Sequence, residues 1–277
     1  MSCPLFLRSS GWVSLFMTLG LASPLSAADP VLPATTAPAA PAPALAPELP
    51  PPQLTEVWSP VPKVVSAPLG AAPSDATVLL NGRNLDAWES IKGGPAKWRL
   101  DGDTMVVTPG TGAIQTKASF GDVQLHLEFR TPAEVKGESQ GRGNSGVYFM
   151  GIYEVQVLDS YNNPTYVNGQ AGSIYKQHMP LVNASRPPGE WQSYDLVFIA
   201  PRFGPGGMVE SPARVTVFHN GVLVQHDVEV KGATEHRGYP AYKPHAAKLP
   251  LQLQDHRDLI GFRNIWVREL ALPGAKP

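Results

Sequence analysis

The sequence predicts an all-β chain, a sandwich or jelly roll, and three observations lead there. Apolar and polar residues alternate with period two over most of the chain after about residue 76. No window carries helical periodicity, and Gly and Pro recur between the alternating runs. Val123–Arg130 is the cleanest run, with Val123, Leu125, Leu127 and Phe129 on one face and Gln124, His126, Glu128 and Arg130 on the other. Arg214–His219, then Asn220-Gly221, then Val222–Val224 reads as a hairpin, because Asn-Gly accepts the positive φ of a two-residue turn. Trp98–Leu100 and Met105–Val107 flank a similar turn at Asp101-Gly102. Residues 78–80, 193–199, 249–254 and 265–270 bring the expected set to ten or so strands. Two more flank a turn between Gly143 and Asp159.

The 277 residues are not spent evenly. Residues 1–28 read as a secretory signal peptide: Arg8 is their single charge, Trp12–Ala22 is a short apolar core, and Ser26-Ala27-Ala28 supplies small residues for cleavage. That core falls well short of the about 20 apolar residues a membrane span requires, so no span is expected after cleavage; an uncleaved anchor is the alternative. Residues 30–52 hold nine prolines and seven alanines, a composition that makes an extended tether and no core. Residues 53–75 add Leu54, Val57, Trp58, Val61, Val64 and Val65, and read as an arm that either lies on the domain or stays disordered. The expected domains are therefore a signal peptide (1–28), a linker with an arm (29–75) and a β-sandwich (76–272).

Composition narrows the function classes. Cys3 is the one cysteine, and cleavage would remove it, which excludes thiol catalysis and cysteine-ligated metal from the mature chain. The formal charge of −1 becomes −2 without Arg8, and no basic stripe is present, so nucleic acid is not an expected partner. No glycine-rich loop follows a strand and opens a helix, which leaves nucleotide binding without support.

Polar residues at strand spacing mark the candidate site. From Tyr153 the alternation puts Tyr153, Val155 and Val157 on one face and Glu154 with Gln156 on the other. A carboxylate beside a carboxamide can hydrogen-bond a polyhydroxylated ligand or begin an acid–base site, although an exposed strand that merely meets water has the same pattern. Leu251–His256 repeats it, with Gln252, Gln254 and His256 sharing one face. Arg263, amid the apolar Phe262, Ile265 and Trp266, must be paired or reach solvent; Asp255 or Asp258 would be a structural partner, and a ligand the other. His178, His219, His226, His236 and His245 have weaker claims as isolated histidines. Glu154, Asp159, His178 and His256 could ligate metal, but no spacing fixes them together. The loops at 201–212 and 231–250 suit either a lid or an assembly contact.

These motifs together resemble a known family. Asn81–Trp88, Trp98–Gly102, Asn144-Ser145-Gly146-Val147, Tyr153–Asp159, Gly172–Tyr175, Gly189-Glu190-Trp191, Asn220-Gly221, Leu251–His256 and Phe262–Ile265 follow in the order found in the 3-keto-disaccharide hydrolases, or DUF1080 domains. The resemblance implies a concanavalin-like jelly-roll β-sandwich, a bacterial periplasmic or secreted location and a carbohydrate substrate. It implies cleavage of glycosides already oxidised to a ketone at C3, where the acidified C2 proton is removed and the C1 substituent is eliminated. On the matched positions, Glu154 or His256 would be the base. Arg263 or a divalent metal ion would stabilise the enolate, and Asp159 or His256 would act as acid. Asn144, Gln156, Tyr175 and Gln254 would hold hydroxyls. Two other readings stay open: a non-catalytic carbohydrate-binding module, and a glycosidase using Glu154 and Asp159 as a carboxylate pair. The pair fits the strand poorly, since a regular strand points those two positions to opposite faces.

Overall fold

The computed structural model describes residues 49–272; the expected signal peptide and the linker through residue 48 lie outside the described residues. The chain divides after Val61. In the first unit, residues 49–61 contain one 3-10 turn, Pro52–Thr55, and the side chains of Leu54, Val57 and Trp58 are exposed. The second unit opens with extended chain in which Val64 is 92% exposed. This stretch of the expected arm buries little, and its end is held where Arg268 Nε donates to Asp75 Oδ2 at 2.7 Å.

The second unit is built of strands, with no α-helix among the described residues. The first eight are β1 (Thr77–Leu80), β2 (Trp88–Ser90), β3 (Arg99–Asp101), β4 (Thr104–Val106), β5 (Ile114–Phe120), β6 (Val123–Arg130), β7 (Ser145–Phe149) and β8 (Tyr153–Val157). The remainder are β9 (Gln192–Ile199), β10 (Arg202–Phe203), β11 (Val209–Ser211), β12 (Arg214–His219), β13 (Val222–Glu229), β14 (Leu249–Leu253) and β15 (Gly261–Glu269). An eight-stranded antiparallel sheet runs β13-β12-β9-β6-β15-β4-β3, with β1 also on β15. A five-stranded antiparallel sheet runs β2-β5-β14-β7-β8, and β10 pairs with β11. Neighbours in space are mostly distant in sequence, as expected of a concanavalin-like jelly-roll sandwich.

The alternation read from the sequence sets which face each sheet buries. On β6, Val123, Leu125, Leu127 and Phe129 are buried while Gln124, His126 and Glu128 are half-buried. Tyr194, Leu196, Phe198, Val215 and Val217 extend that inner face, and Val147, Phe149, Val155, Val157, Leu251 and Leu253 oppose it from the smaller sheet. The Phe149 and Phe198 rings stack with centroids 4.5 Å apart and planes at 5°, joining the two layers. The Asn220-Gly221 hairpin is present, with φ of 53° and 78° at the two turn residues. Strands β2 and β5 were not expected: β2 has three residues, and Thr116–Ser119 breaks the alternation of β5 where its pairing with β14 shifts register.

Phe198 is fully buried at the layer contact, whereas Phe218 is 39% exposed on the same sheet. Phe198→Ala should therefore lower unfolding stability by about 3–5 kcal/mol in a denaturant titration, and Phe218→Ala by less than about 1 kcal/mol.

Candidate active site

Strands β7 and β8 form a hairpin in which Tyr148 stands opposite Glu154, and Gly146 opposite Gln156. Period two sends Tyr153, Val155 and Val157 into the core and leaves Glu154 and Gln156 on the outer face of the smaller sheet. β8 is the edge of that sheet, yet all five of its residues are buried. Loop backbone occupies its free edge. Gln156 N donates to Ser173 O at 3.0 Å, Gly172 N to Gln156 O at 3.0 Å, and Tyr175 N to Glu154 O at 3.2 Å. Farther along, Glu154 N donates to Thr234 Oγ1 at 2.9 Å and Thr234 N to Ile152 O at 3.0 Å. Lys176 Nζ donates to His236 O at 2.6 Å and ties the two loops together.

These loops and the β14 end enclose a hollow of about 210 Å³ lined by Asn144, Tyr148, Glu154, Gln156, Tyr175, Thr234, His236, Gln254 and His256. Glu154 is 2% exposed, and it is the single carboxylate among these lining residues. Burial pushes its acid up from 4.5 to about 8, against the opposing pull of a hydrogen bond from Tyr148. Burial and the neighbouring Glu154 charge raise the Tyr148 phenol in turn, so Tyr148 keeps its proton as a donor. Gly146 gives the carboxylate its room: a Cβ there would lie 2.3 Å from Glu154 Oε1 and 2.8 Å from the Tyr148 ring.

Amide groups complete the lining. Gln254 Nε2 donates to the Tyr148 hydroxyl at 3.2 Å, while the buried Gln254 Oε1 has no partner among the described residues. Gln156 has two orientations to choose from. In one its NH2 meets Gln140 Oε1 at 2.9 Å and its oxygen faces Ser145 O; turned over, its NH2 donates to Ser145 O at 3.0 Å and to Glu154 Oε1 at 3.1 Å. The second makes two hydrogen bonds against one and leaves a single oxygen–oxygen contact with Gln140, so it is the better arrangement. Asn144 is fixed by donation from its NH2 to Gln140 O at 2.7 Å and from its backbone N–H to Asp258 at 2.8 Å.

Of the eight residues expected from the sequence, the hollow gathers Glu154, His256, Asn144, Gln156, Tyr175 and Gln254. Asp159 is elsewhere: it is 2% exposed and accepts from Arg142 Nε at 2.7 Å and from Tyr161 N at 3.2 Å. That ion pair occupies the second carboxylate of the Glu154–Asp159 pair. Arg263 belongs to the other sheet. On the outer face of β15 its Nε donates to Glu128 Oε2 at 2.7 Å, and its guanidinium lies 4.0 Å from the Trp191 ring centroid. Its partner is thus neither Asp255 nor Asp258, which bond Gly112 N and Asn144 N instead. Asp255 therefore does not orient His256, which sits beyond the end of β14 and is exposed at the mouth of the hollow.

Three lining residues were not among those eight: Tyr148 and Thr234 went unread, and His236 had only a weak claim as an isolated histidine. Tyr148 was within reach, because parity with Gly146 and pairing across the turn place it opposite Glu154. Thr234 and His236 come from an irregular loop whose path no local pattern encodes. His236 Nδ1 is 3.4 Å from the Tyr175 hydroxyl, which bonds Tyr166 at 2.7 Å. A metal finds little to hold it. Among the described residues no three His, Cys, Asp or Glu side chains converge, and the hollow offers one carboxylate with two imidazoles at separate positions.

Residues 75–268 match the model of the 3-keto-alpha-glucoside-1,2-lyase-like domain. The chain belongs to this family. A proposed glycosyl hydrolase from Parabacteroides distasonis ATCC 8503 is similar at 49% identity, covering 79% of this chain and 97% of its own, with a TM-score of 0.77. Two further proposed glycosyl hydrolases from that strain, at 19% and 21% identity, each cover 70% of this chain, and 94% and 99% of their own. Their TM-scores of 0.53 and 0.50 extend the likeness of fold. No curated protein matches the chain. No described helix is long and apolar enough to cross a membrane.

The raised Glu154 acid makes a stability prediction for this 3-keto-alpha-glucoside-1,2-lyase-like domain. The folded protein keeps a proton that the unfolded chain releases, so stability drains away as pH climbs from about 4.5 to about 8. Glu154→Gln removes that loss. Thermal melts should show variant and wild type alike near pH 4, with the variant ahead by a margin growing to the order of a few kcal/mol by pH 8.

Proposed function

We propose that this domain cleaves 3-keto-glycosides by elimination and hydration, working on carbohydrate outside the cytoplasm. Glu154 carries the reading. A lone carboxylate, buried against apolar strands and raised to about 8, is suited to take a weakly acidic carbon-bound proton near neutral pH. A ketone at C3 supplies such a proton at C2. Direct displacement at C1 would need two carboxyl groups roughly 5–9.5 Å apart, and Asp159 is committed to Arg142.

The steps balance as follows. The Glu154 carboxylate takes the C2 proton, the electron pair is held as the enolate of the C3 ketone, and it then forms C1=C2 as the C1–oxygen bond breaks. The leaving oxygen takes a proton from an acid at the mouth, for which His256 is placed. Water then adds its hydroxyl to C1 and gives its other proton back to the His256 imidazole, while C2 receives the proton held by Glu154, so both groups return to their starting states. In place of Arg263, the donors lining the hollow that could meet the enolate oxygen are the hydroxyl of Tyr175 and the imidazole of His236. Asn144 and Gln254 orient ring hydroxyls, Gln156 steadies the Glu154 carboxylate rather than a hydroxyl, and the unpartnered Gln254 Oε1 gains a donor when a hydroxyl arrives. The small volume of the hollow suits one sugar ring. An exported location accords with the signal-like residues 1–28.

Purified protein should release sugar from 3-keto-disaccharides and leave the unoxidised parents intact. With a sugar leaving group kcat/KM should follow a bell in pH, rising as Glu154 ionises toward about 8 and falling as the acid at the mouth loses its proton; a 4-nitrophenolate leaving group should keep the rise alone. Glu154→Gln should lose about 100- to 10,000-fold. Equal cleavage of the parent sugar, or full activity of that variant, would sink the reading; sugar binding with no product would leave a binding module. His256→Ala should slow a sugar leaving group by about 100-fold or more and a 4-nitrophenolate leaving group far less, since the latter departs without an acid.

A further inference from the structure

The outer face of the smaller sheet carries a row of polar side chains that continues well past the hollow. Glu89 on β2 pairs with Gln115 on β5, Gln115 with Gln252 on β14, Gln252 with Tyr148 on β7, and Tyr148 with Glu154 on β8. Residues directly opposite one another in antiparallel strands share a face, so these five stand in line across the whole sheet. Four strand spacings of about 4.8 Å put Glu89 about 19 Å from Glu154. The row is closed at one end and open at the other: Glu154 is 2% exposed beneath the loops, whereas Tyr148, Gln252, Gln115 and Glu89 are all half-buried.

We propose that Gln252, Gln115 and Glu89 form an extended subsite for the leaving-group side of an oligosaccharide, so that chains longer than a disaccharide are the preferred substrates. This rests on the reading of Glu154 as the base at C2. A ring seated in the hollow with C2 at Glu154 meets loop backbone beyond β8, whereas Gln252, Gln115 and Glu89 on β14, β5 and β2 are each partly open to solvent. The row therefore offers the C1 substituent a path across the sheet, away from the closed edge. Its chemistry is set by what the row offers: planar carboxamides and a carboxylate, which donate to and accept from hydroxyls and give no apolar platform. Gln115 Nε2 already donates to Glu89 Oε1 at 3.0 Å, which fixes both groups before a sugar arrives. Gln252 makes no side-chain hydrogen bond among the described residues, and the buried Gln254 Oε1 beside the row is likewise unpartnered. The length of the row leaves room for more than one sugar unit beyond the hollow.

The test compares 3-keto-glucosides with 4-nitrophenol, one sugar and two sugars as leaving groups, in wild type, Gln115→Ala and Glu89→Gln. In wild type kcat/KM should increase from the one-sugar to the two-sugar leaving group. In each variant the ratio of two-sugar to nitrophenyl kcat/KM should fall about five- to tenfold, as expected for one lost hydrogen bond. An unchanged ratio in both variants, or no gain on lengthening, overturns the subsite. Calorimetry with unoxidised di- and trisaccharides keeps the two proposals apart. If wild type cleaves none of the ketones, the assignment of Glu154 fails; the row still stands if the trisaccharide binds more tightly and Gln115→Ala removes the difference, and it falls if binding is equal.

Discussion

The free edge of β8 is filled by backbone from residues 172–175 and by Thr234, and the candidate site depends on that pairing. An edge strand with an open side would hold Glu154 in water, where a carboxylate is an ordinary solvated charge. Covering the edge satisfies the β8 amides and carbonyls while shutting solvent away from the side chains of the same residues. A carboxylate without that solvation favours its protonated form, and the hydrogen bond from Tyr148 recovers only part of the difference.

Gly146 and Tyr194 hold this arrangement from the two faces of the sheet. On the outer side, the missing side chain of Gly146 is the space that the Glu154 carboxylate takes up. On the inner side, the Tyr194 hydroxyl crosses from the larger sheet and donates to Gln156 O at 2.7 Å, so the acceptor beside the site is fixed by the opposite layer. The core and the hollow are thus coupled through one strand. Its apolar residues bind the layers together, and its polar residues form the floor of the site.

The larger sheet has a polar network of its own. His126 Nδ1 lies 2.7 Å from Asp195, Asn264 Nδ2 donates to Glu128 at 3.0 Å, and Arg263 bonds Glu128 while stacking on Trp191. Arg130 lies over the same indole at 4.7 Å. Asn264 takes φ of 48° where the pairing of β15 with β6 shifts register, a conformation that asparagine tolerates better than most residues. The network gives Arg263 a full structural explanation, since charge pairing and stacking meet the demands of a half-buried guanidinium.

Much of the fold was legible in the sequence because alternation is local. Side chains of Val123–Arg130 and Tyr153–Val157 point where period two sends them, and Asn220-Gly221 turns where its φ preferences allow. Six of the expected site residues lie on or just beyond strands, or in loops paired to them, and they meet in one hollow. Asp159 and Arg263 read the same way but sit elsewhere, because nothing local says which sheet a strand joins or which partner claims a charge. Thr234 was silent, and His236 had no more than an isolated histidine's claim, for a related reason: an irregular loop has no period to reveal its direction. By itself, then, the sequence determined the inward and outward faces of its strands, since that depends on neighbours two residues apart. Tertiary structure alone decided which outward faces became a buried site, since solvent exclusion depends on chain segments scores of residues away.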